Sequence, residues 1–239
     1  LAATILKNYP DASSSLIRAL IASSAEVPLP TIEIFDPKDS STQDNILRLC
    51  GYGKPDLGNA IYSTNYRVTL IAEEEAELDT IQLYQIPIPK EFQILKGKRR
   101  IIICLAYNAP VRPNRRDYLG IKMDFKLFRG VSANDLLQWY AESDTENQSE
   151  VTKRTASMEC QLYPSTNRRS KGTLQKGVWN PSRNSQFENY LREDDSFYLL
   201  VRCISNSGMT KDLIPKQPYA VTITLEHSDT DIDLYNLVQ

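Results

Sequence analysis

The sequence predicts a mainly β protein of α+β type: an antiparallel, jelly-roll-like β-sandwich behind a short helical segment. Three observations lead there. Apolar residues recur at helical spacing only in the first sixty or so positions, as in Leu16, Ile17, Leu20 and Ile21. After Asn65 the period becomes two, with Val68, Leu70 and Ala72 alternating with Arg67, Thr69 and Glu73. About eight strand-like segments then follow with few helices between them. Parallel sheets need helical crossovers, so the pairing is expected to be antiparallel, and eight strands suit a jelly roll. The boundary between the helical segment, 1–64, and the β domain, 65–239, is placed where the period changes.

Residues 2–9 read as the closing turns of a helix stopped by Pro10, because the residue before a proline disfavours the helical region. Ser13 is a good N-cap for a second helix, which dissolves at Ser23-Ser24 before Pro28 and Pro30. From Pro28 to Gln43 the chain is polar, acidic and Pro-containing, the composition of a loop or insertion. Gly51-Tyr52-Gly53-Lys54 is a tight turn, and Pro55-Asp56 opens a short helix through Leu57, Ala60 and Ile61.

Strands are expected around Val68–Ala72 and over Ile81–Ile86, which Pro87 and Pro89 end. The continuous apolar run Ile101–Ala106 suggests a central strand covered on both faces. Leu119, Ile121, Met123, Phe125 and Leu127 alternate with Gly120, Lys122, Asp124 and Lys126, the pattern of a half-buried strand. Ser132 caps a helix with Asp135 at N3, Val131 and Leu136 as a staple, and Leu136, Leu137 and Tyr140 toward the sheet. Glu142–Lys153 reads as a loop. Strands resume at Met158/Cys160/Leu162, Thr173–Val178, Phe197/Leu199/Val201/Cys203 and Tyr219/Val221/Ile223/Leu225. The acidic tail Asp229–Gln239 is expected on the surface.

With 41% apolar and 24% charged residues, the 239-residue chain has the composition of an ordinary globular protein. A net charge of -2 gives no reason to expect nucleic acid or an anionic membrane as the main partner. No apolar run approaches the roughly 20 residues of a membrane span, and no secretory leader pattern opens the sequence. Cys50, Cys104, Cys160 and Cys203 are widely spaced, with no CxxC or Cys/His pair to hold zinc. Three of them lie among apolar strand residues, as buried free thiols do, which points to a reducing, cytoplasmic setting.

Two blocks in the first sixty residues carry a family resemblance: LAATILKNYPDASSSLIRALIASSA (Leu1–Ala25) and GYGKPDLGNAI (Gly51–Ile61). Together they resemble the C-terminal end of the catalytic domain of subtilisin-like serine peptidases, separated here by a longer insertion than usual. The β-rich remainder, including YLGIKMDFKLFRG (Tyr118–Gly130) and QPYAVTITLE (Gln217–Glu226), is similar to the extension of some large bacterial subtilases. The resemblance implies a C-terminal fragment of a serine endopeptidase, with Ile5, Leu6, Leu16 and Leu20 packed against strands outside this chain. It also implies a protein or peptide substrate, and an AAA-type ATPase as a partner of the parent. In that family the Asp, His and Ser of the triad, and the oxyanion-hole Asn, all precede the matched blocks. None of them falls on a residue of this sequence, so no catalytic residue is expected and the chain by itself should be inert. The rival reading is a free-standing β-sandwich that binds protein or carbohydrate.

The remaining constellations are weighed against plainer readings. His227, the sole histidine, reads as a bland surface residue at the end of the last strand. Glu73-Glu74-Glu75, Glu77 and Asp79 could offer oxygen ligands to calcium, but without EF-hand spacing they read as a solvated hairpin loop. Asp229, Asp231 and Asp233 are a solubilising tail by the same argument. Lys98-Arg99-Arg100, Arg112/Arg115/Arg116 and Arg168-Arg169/Lys171 are scattered among turns and suit solvation or pairing with acids. Trp139 and Trp179 suit core or rim positions better than a sugar platform.

Overall fold

The computed structural model describes residues 1–35, 40–94, 97–112, 118–141, 151, 153, 155–181, 197–206, 213–228 and 231–238. Strands β1 (Arg67–Glu77), β2 (Thr80–Ile86), β3 (Arg99–Tyr107), β4 (Ile121–Arg129), β5 (Glu159–Cys160), β6 (Leu174–Trp179), β7 (Phe197–Ser205) and β8 (Lys216–His227) form two antiparallel four-stranded sheets. Sheet I has the order β1-β8-β3-β6 and sheet II the order β2-β7-β4-β5. One apolar core joins them. Ile101, Ile103, Leu105, Val221 and Leu225 of sheet I share it with Ile121, Met123, Phe125, Leu127, Leu199 and Val201 of sheet II.

Helices with both ends among the described residues include α1 (Ala2–Asn8), α2 (Ser14–Ser24), α3 (Leu29–Ile34), α4 (Ser40–Cys50), α5 (Leu57–Ile61), α6 (Lys90–Ile94), α7 (Ala133–Ala141), α8 (Thr166–Arg169) and α9 (Leu234–Val238). Ser13 caps α2 as expected, its hydroxyl accepting the Leu16 N–H at 3.1 Å. The helix lies on the outer face of sheet I, with Ala19 and Ala22 against Ile102, Cys104 and Ala106 of β3. Small side chains on both partners let the helix backbone come close. This is why β3 is buried on both faces and reads as an unbroken apolar run. The expectation for the opening helices needs correction: Ile5, Leu16 and Leu20 are buried with Ala60, Ile61 and Ala220 of β8, within this chain, and Leu6 is 44% exposed.

Sheet II is covered by α7 in the same manner. Ser132 accepts the Asp135 N–H at 3.1 Å, and Val131 and Leu136 pack with Phe128 and Leu200. Tyr140 meets Phe128 edge-on at 6.3 Å, whereas Leu137, expected to face the sheet, is exposed. The alternation in β4 is also misleading. Asp124 and Lys126 are buried, Asp124 in a two-bond pair with Arg202 (2.7 and 2.5 Å) and Lys126 with Glu159 (2.9 Å). Paired charges can occupy a covered face that unpaired ones could not.

Four further readings change. The segment Pro28–Gln43 is not simply a loop: it carries α3, begun by Pro28 and Pro30, and the start of α4. Leu29 and Ile34 stay exposed there, so little apolar periodicity marked these helices. The acidic run Glu73–Glu77 belongs to β1, which continues past Ala72 because Ala76 keeps the inward phase. No hairpin follows, since β1 and β2 lie in different sheets and only Leu78 and Asp79 join them. Asp79 takes positive φ (59°) and accepts the Ser205 N–H and hydroxyl, both at 2.8 Å, so it is a corner bracket. The acidic tail is partly internal, with Ile232 and Leu234 buried in the core. The segment 142–150 lies outside the described residues.

The two blocks flanking α3 and α4 meet through a short antiparallel bridge. Glu26 N–H donates to the Lys54 carbonyl at 3.0 Å, and Lys54 N–H to the Glu26 carbonyl at 2.8 Å. Gly53 sits beside it with φ +101°, and a Cβ there would lie 2.1 Å from the Glu26 carbonyl oxygen. Neither backbone can yield without breaking the bridge. Gly53→Ala is therefore expected to lower stability by about 2 kcal/mol or more, read as a reduced urea midpoint with an unchanged slope.

Candidate functional site

The site that best combines concavity with polar chemistry is a groove of about 520 Å³. It lies where the end of β1 and the start of β8 meet the N-terminus of α2. Ser13, Ser14 and Ser15 form one wall, Glu73, Glu74 and Glu75 the second, and Asn108 with Lys216–Tyr219 the third. The Ser13 N–H donates to Glu73 Oε1 at 3.1 Å, a carboxylate at the positive end of a helix dipole. Asn108 Nδ2 donates to Ser14 Oγ at 3.1 Å, and Arg18 reaches across to Asn108 Oδ1 (2.8 Å) and Thr173 Oγ1 (2.9 Å). Gln217 Nε2 donates to the carbonyls of Asn108 (3.2 Å) and Pro218 (2.7 Å). The walls are thus tied to one another before any ligand arrives.

The floor is polar and mostly closed. Tyr219 hydroxyl hydrogen bonds with Tyr84 hydroxyl and donates to Gln82 Oε1. Burial raises the Tyr219 phenol, with Tyr84 and the charge of Glu74 adding to it, and burial likewise raises Tyr84. Both are neutral donors at ordinary pH. Lys216 Nζ stands 3.7 Å from Glu75 Oε2, the single cation among three carboxylates. The hydroxyl, carboxylate, amide and ammonium groups of the groove are of the kind that recognise and hold a polar ligand.

A second cavity of about 230 Å³ lies between Tyr52, Arg168, Arg169 and Gly172. Arg169 donates to the carbonyls of Pro164 (2.8 Å) and Phe125 (2.5 Å) and to Thr166 Oγ1 (2.9 Å), with its guanidinium 4.5 Å from the Phe125 ring centre. Burial lowers its pKa to about 10. Arg168 pairs with Asp44 at 2.9 Å. These contacts fasten α8 and α4 to the sheets.

The residues singled out in the sequence do not converge on either cavity, apart from the glutamates and Arg168-Arg169. His227 is 1% exposed, against the expectation of a surface residue. It packs edge-on to Phe92 at 6.0 Å, under Gly97, because β8 ends beneath α6. Glu77 and Asp79 lie beyond the groove, and among the described residues no three His, Cys, Asp or Glu gather to hold a metal. Asp229 lies outside the described residues. Asp233 accepts from the Asn236 side chain at 2.6 Å, within the first turn of α9. Arg100 pairs with Glu26 (3.0 Å) and Glu226 (2.6 Å). Arg99 is buried, Arg112 bonds the Leu119 carbonyl, and Arg115 and Arg116 lie outside the described residues. Trp179 is buried against Phe197 with Arg129 over its ring, and Trp139 is half-buried beside α7's core contacts. Neither makes an aromatic platform.

Sequence reading missed the groove because it assigned Glu73–Glu75 to a loop. The signal that could have found it is the even-numbered series Val68, Leu70, Ala72 and Ala76, which keeps β1 extended through the acidic run.

No family model matches the chain. Over 224 residues, 94% of its length, it is 37% identical to a protein of Sinorhizobium fredii (strain NBRC 101917 / NGR234) called "Uncharacterized protein y4bN". The chain spans about half of that relative, 49% of its length. Among the described residues, no helix is long and apolar enough to cross a membrane.

All four cysteines are free thiols. Burial raises Cys104 from 9.0 to about 11, and Cys160 and Cys203 to about 12. At neutral pH these three are protonated packing groups. The folded chain holds their protons to higher pH than the unfolded chain does. Their contribution to stability is therefore complete below pH 9 and lost as pH rises through the folded values. Urea titrations should show stability falling by about 1 kcal/mol or more per pH unit above about pH 9.5. Near neutral pH, iodoacetamide should modify Cys50 alone in the native chain, and all four after unfolding, by mass spectrometry.

Proposed function

We propose that this chain is the non-catalytic C-terminal part of a subtilisin-like serine endopeptidase, serving the parent as a module that binds protein or peptide. The observation that carries the reading is the contact between the two resembling blocks. They stand 25 residues apart in sequence, yet Glu26 and Lys54 exchange backbone hydrogen bonds, and Leu16 and Leu20 of α2 share a core with Ala60 and Ile61 of α5. This supports treating α3 and α4 as an insertion into one helical unit. The polar groups that line the groove fit a role in recognition, with peptide hydrolysis carried out elsewhere in the parent.

In this reading the β domain is a sandwich of the jelly-roll kind. Supporting it, successive strands other than β4 and β5 alternate between the sheets, whose orders β1-β8-β3-β6 and β2-β7-β4-β5 are those that two interleaved Greek keys produce. The location is cytoplasmic, which four free thiols favour, and an AAA-type ATPase is the proposed partner of the parent. A second reading, a free-standing binding module, draws on the burial of Ile5, Leu16 and Leu20 against the chain's own β8. With Trp179 buried, protein is the better ligand class for it than carbohydrate.

A fluorophosphonate probe tests the proposal. It should label the full-length parent at one serine and leave the 239-residue chain unmodified. Labelling of this chain, or a parent that never reacts while folded, would overturn the peptidase assignment.

A further inference from the structure

The outer edge of β1 has a gap in its hydrogen bonding beside the acidic groove. The His227 N–H donates to the Tyr66 carbonyl, one pair beyond the Arg67–Glu226 pair of the β1–β8 ladder. In an antiparallel ladder the backbone groups of such a residue both face the partner. Even-numbered residues of β1 therefore address β8 and odd-numbered ones face away. Most odd positions near the ends are occupied. Arg67 exchanges backbone bonds with Thr64 (3.2 and 2.7 Å), the Thr69 N–H meets Ser63 Oγ (3.2 Å), and the Glu75 carbonyl accepts from Gln82 Nε2 (3.2 Å). Between them, the outward N–H and C=O of Ile71 and Glu73 have no partner among the described residues, and Ile71 is 40% exposed.

The side chains at this gap share a chemical character. Glu73, Glu74 and Glu75 line the groove against one cation, Lys216. Ser15 lines it too, from the first turn of α2. A plainer account of acidic residues on an edge strand is that they keep other strands away. It does not account for the open stretch being centred on Ile71 and Glu73 while outward groups of Arg67, Thr69 and Glu75 on either side are capped.

We propose that this edge takes an extended, basic peptide segment as an added strand. The peptide backbone pairs with Ile71 and Glu73, and alternate lysine or arginine side chains lie over the carboxylates of the groove, the outermost within reach of Ser15. Main-chain bonds provide the affinity and the carboxylates select the charge. The inference deepens the binding role proposed above and is independent of the parent's chemistry.

Fluorescence anisotropy with a labelled peptide of alternating lysine and valine tests it on the 239-residue chain. Binding is expected, weakening as salt is raised, and an alternating glutamate–valine peptide should not bind. The triple substitution Glu73→Gln, Glu74→Gln, Glu75→Gln should weaken binding by about tenfold or more. Ile71→Pro removes an outward N–H, a change an edge strand tolerates, and should abolish binding with the melting temperature nearly unchanged. Should that variant fail to fold, a peptide N-methylated at the amides facing β1 reads the same bonds and should not bind. Equal binding of the methylated or acidic peptide would overturn the proposal. So would a wild-type chain that ignores the basic peptide while the triple variant self-associates, the outcome of a purely protective edge. A serine-probe result on the parent can go either way without changing these outcomes.

Discussion

The carbonyl end of α2 is where the helical and β portions become one structure. Two cations rise from the outer face of sheet I to meet it: Arg67 donates to the Ser23 carbonyl at 3.2 Å, and Lys176 to the Ala25 carbonyl. Both are buried, and an isolated buried cation costs several kcal/mol. Burial lowers the Lys176 pKa for this reason, with nearby Cys104 and Glu26 opposing the effect. The negative end of the helix dipole offsets part of that cost. Glu226 offsets more, bonding Arg67 on one side and Arg100 on the other, and Arg100 extends the chain to Glu26 just past the helix. Displacing α2 would strand these charges, so its position sets where its N-terminus, and hence the groove, can be.

The opposite sheet faces a different problem. Strand β5 has only two residues and pairs with Leu127 and Phe128, leaving the earlier half of the β4 edge without a neighbouring strand among the described residues. Backbone groups buried there must still be satisfied. Side chains do it. Tyr107 hydroxyl accepts the Met123 N–H at 3.1 Å, Gln175 Nε2 donates to the Met123 carbonyl at 2.6 Å, and Arg169 donates to the Phe125 carbonyl. Tyr107 and Gln175 belong to sheet I, so the same bonds that complete one sheet fasten it to the other.

Most of this was legible where one physical rule decided the outcome. The change of period after Asn65, the Ser13 and Ser132 caps and the doubly buried run Ile101–Ala106 each found their counterpart in the structure. Errors gathered where charge was taken as a proxy for exposure. Asp124 and Lys126 are charged and buried because Arg202 and Glu159 meet them, and no local pattern names a partner dozens of residues away. His227 is buried, against expectation, under a helix whose Phe92 lies 135 residues earlier in the chain. The groove failed to show for a related reason: its three walls come from residues near 14, 74 and 217, and only their meeting gives it meaning.

The narrow neck formed by Glu26 and Lys54 has a further consequence. The chain enters and leaves the segment carrying α3 and α4 through two residues that already hold one another, so the 27 residues between them form a closed ring. The entropy of closing such a ring grows only with the logarithm of its length, about 0.6 kcal/mol for each doubling. Lengthening the segment is thus cheap in closure entropy, provided that Gly53, the Tyr52 bonds to Leu174 and Lys176 and the Asp44–Arg168 pair are kept. The neck is a natural grafting point, at which new structure can be added while the glycine beside it keeps the stem shut.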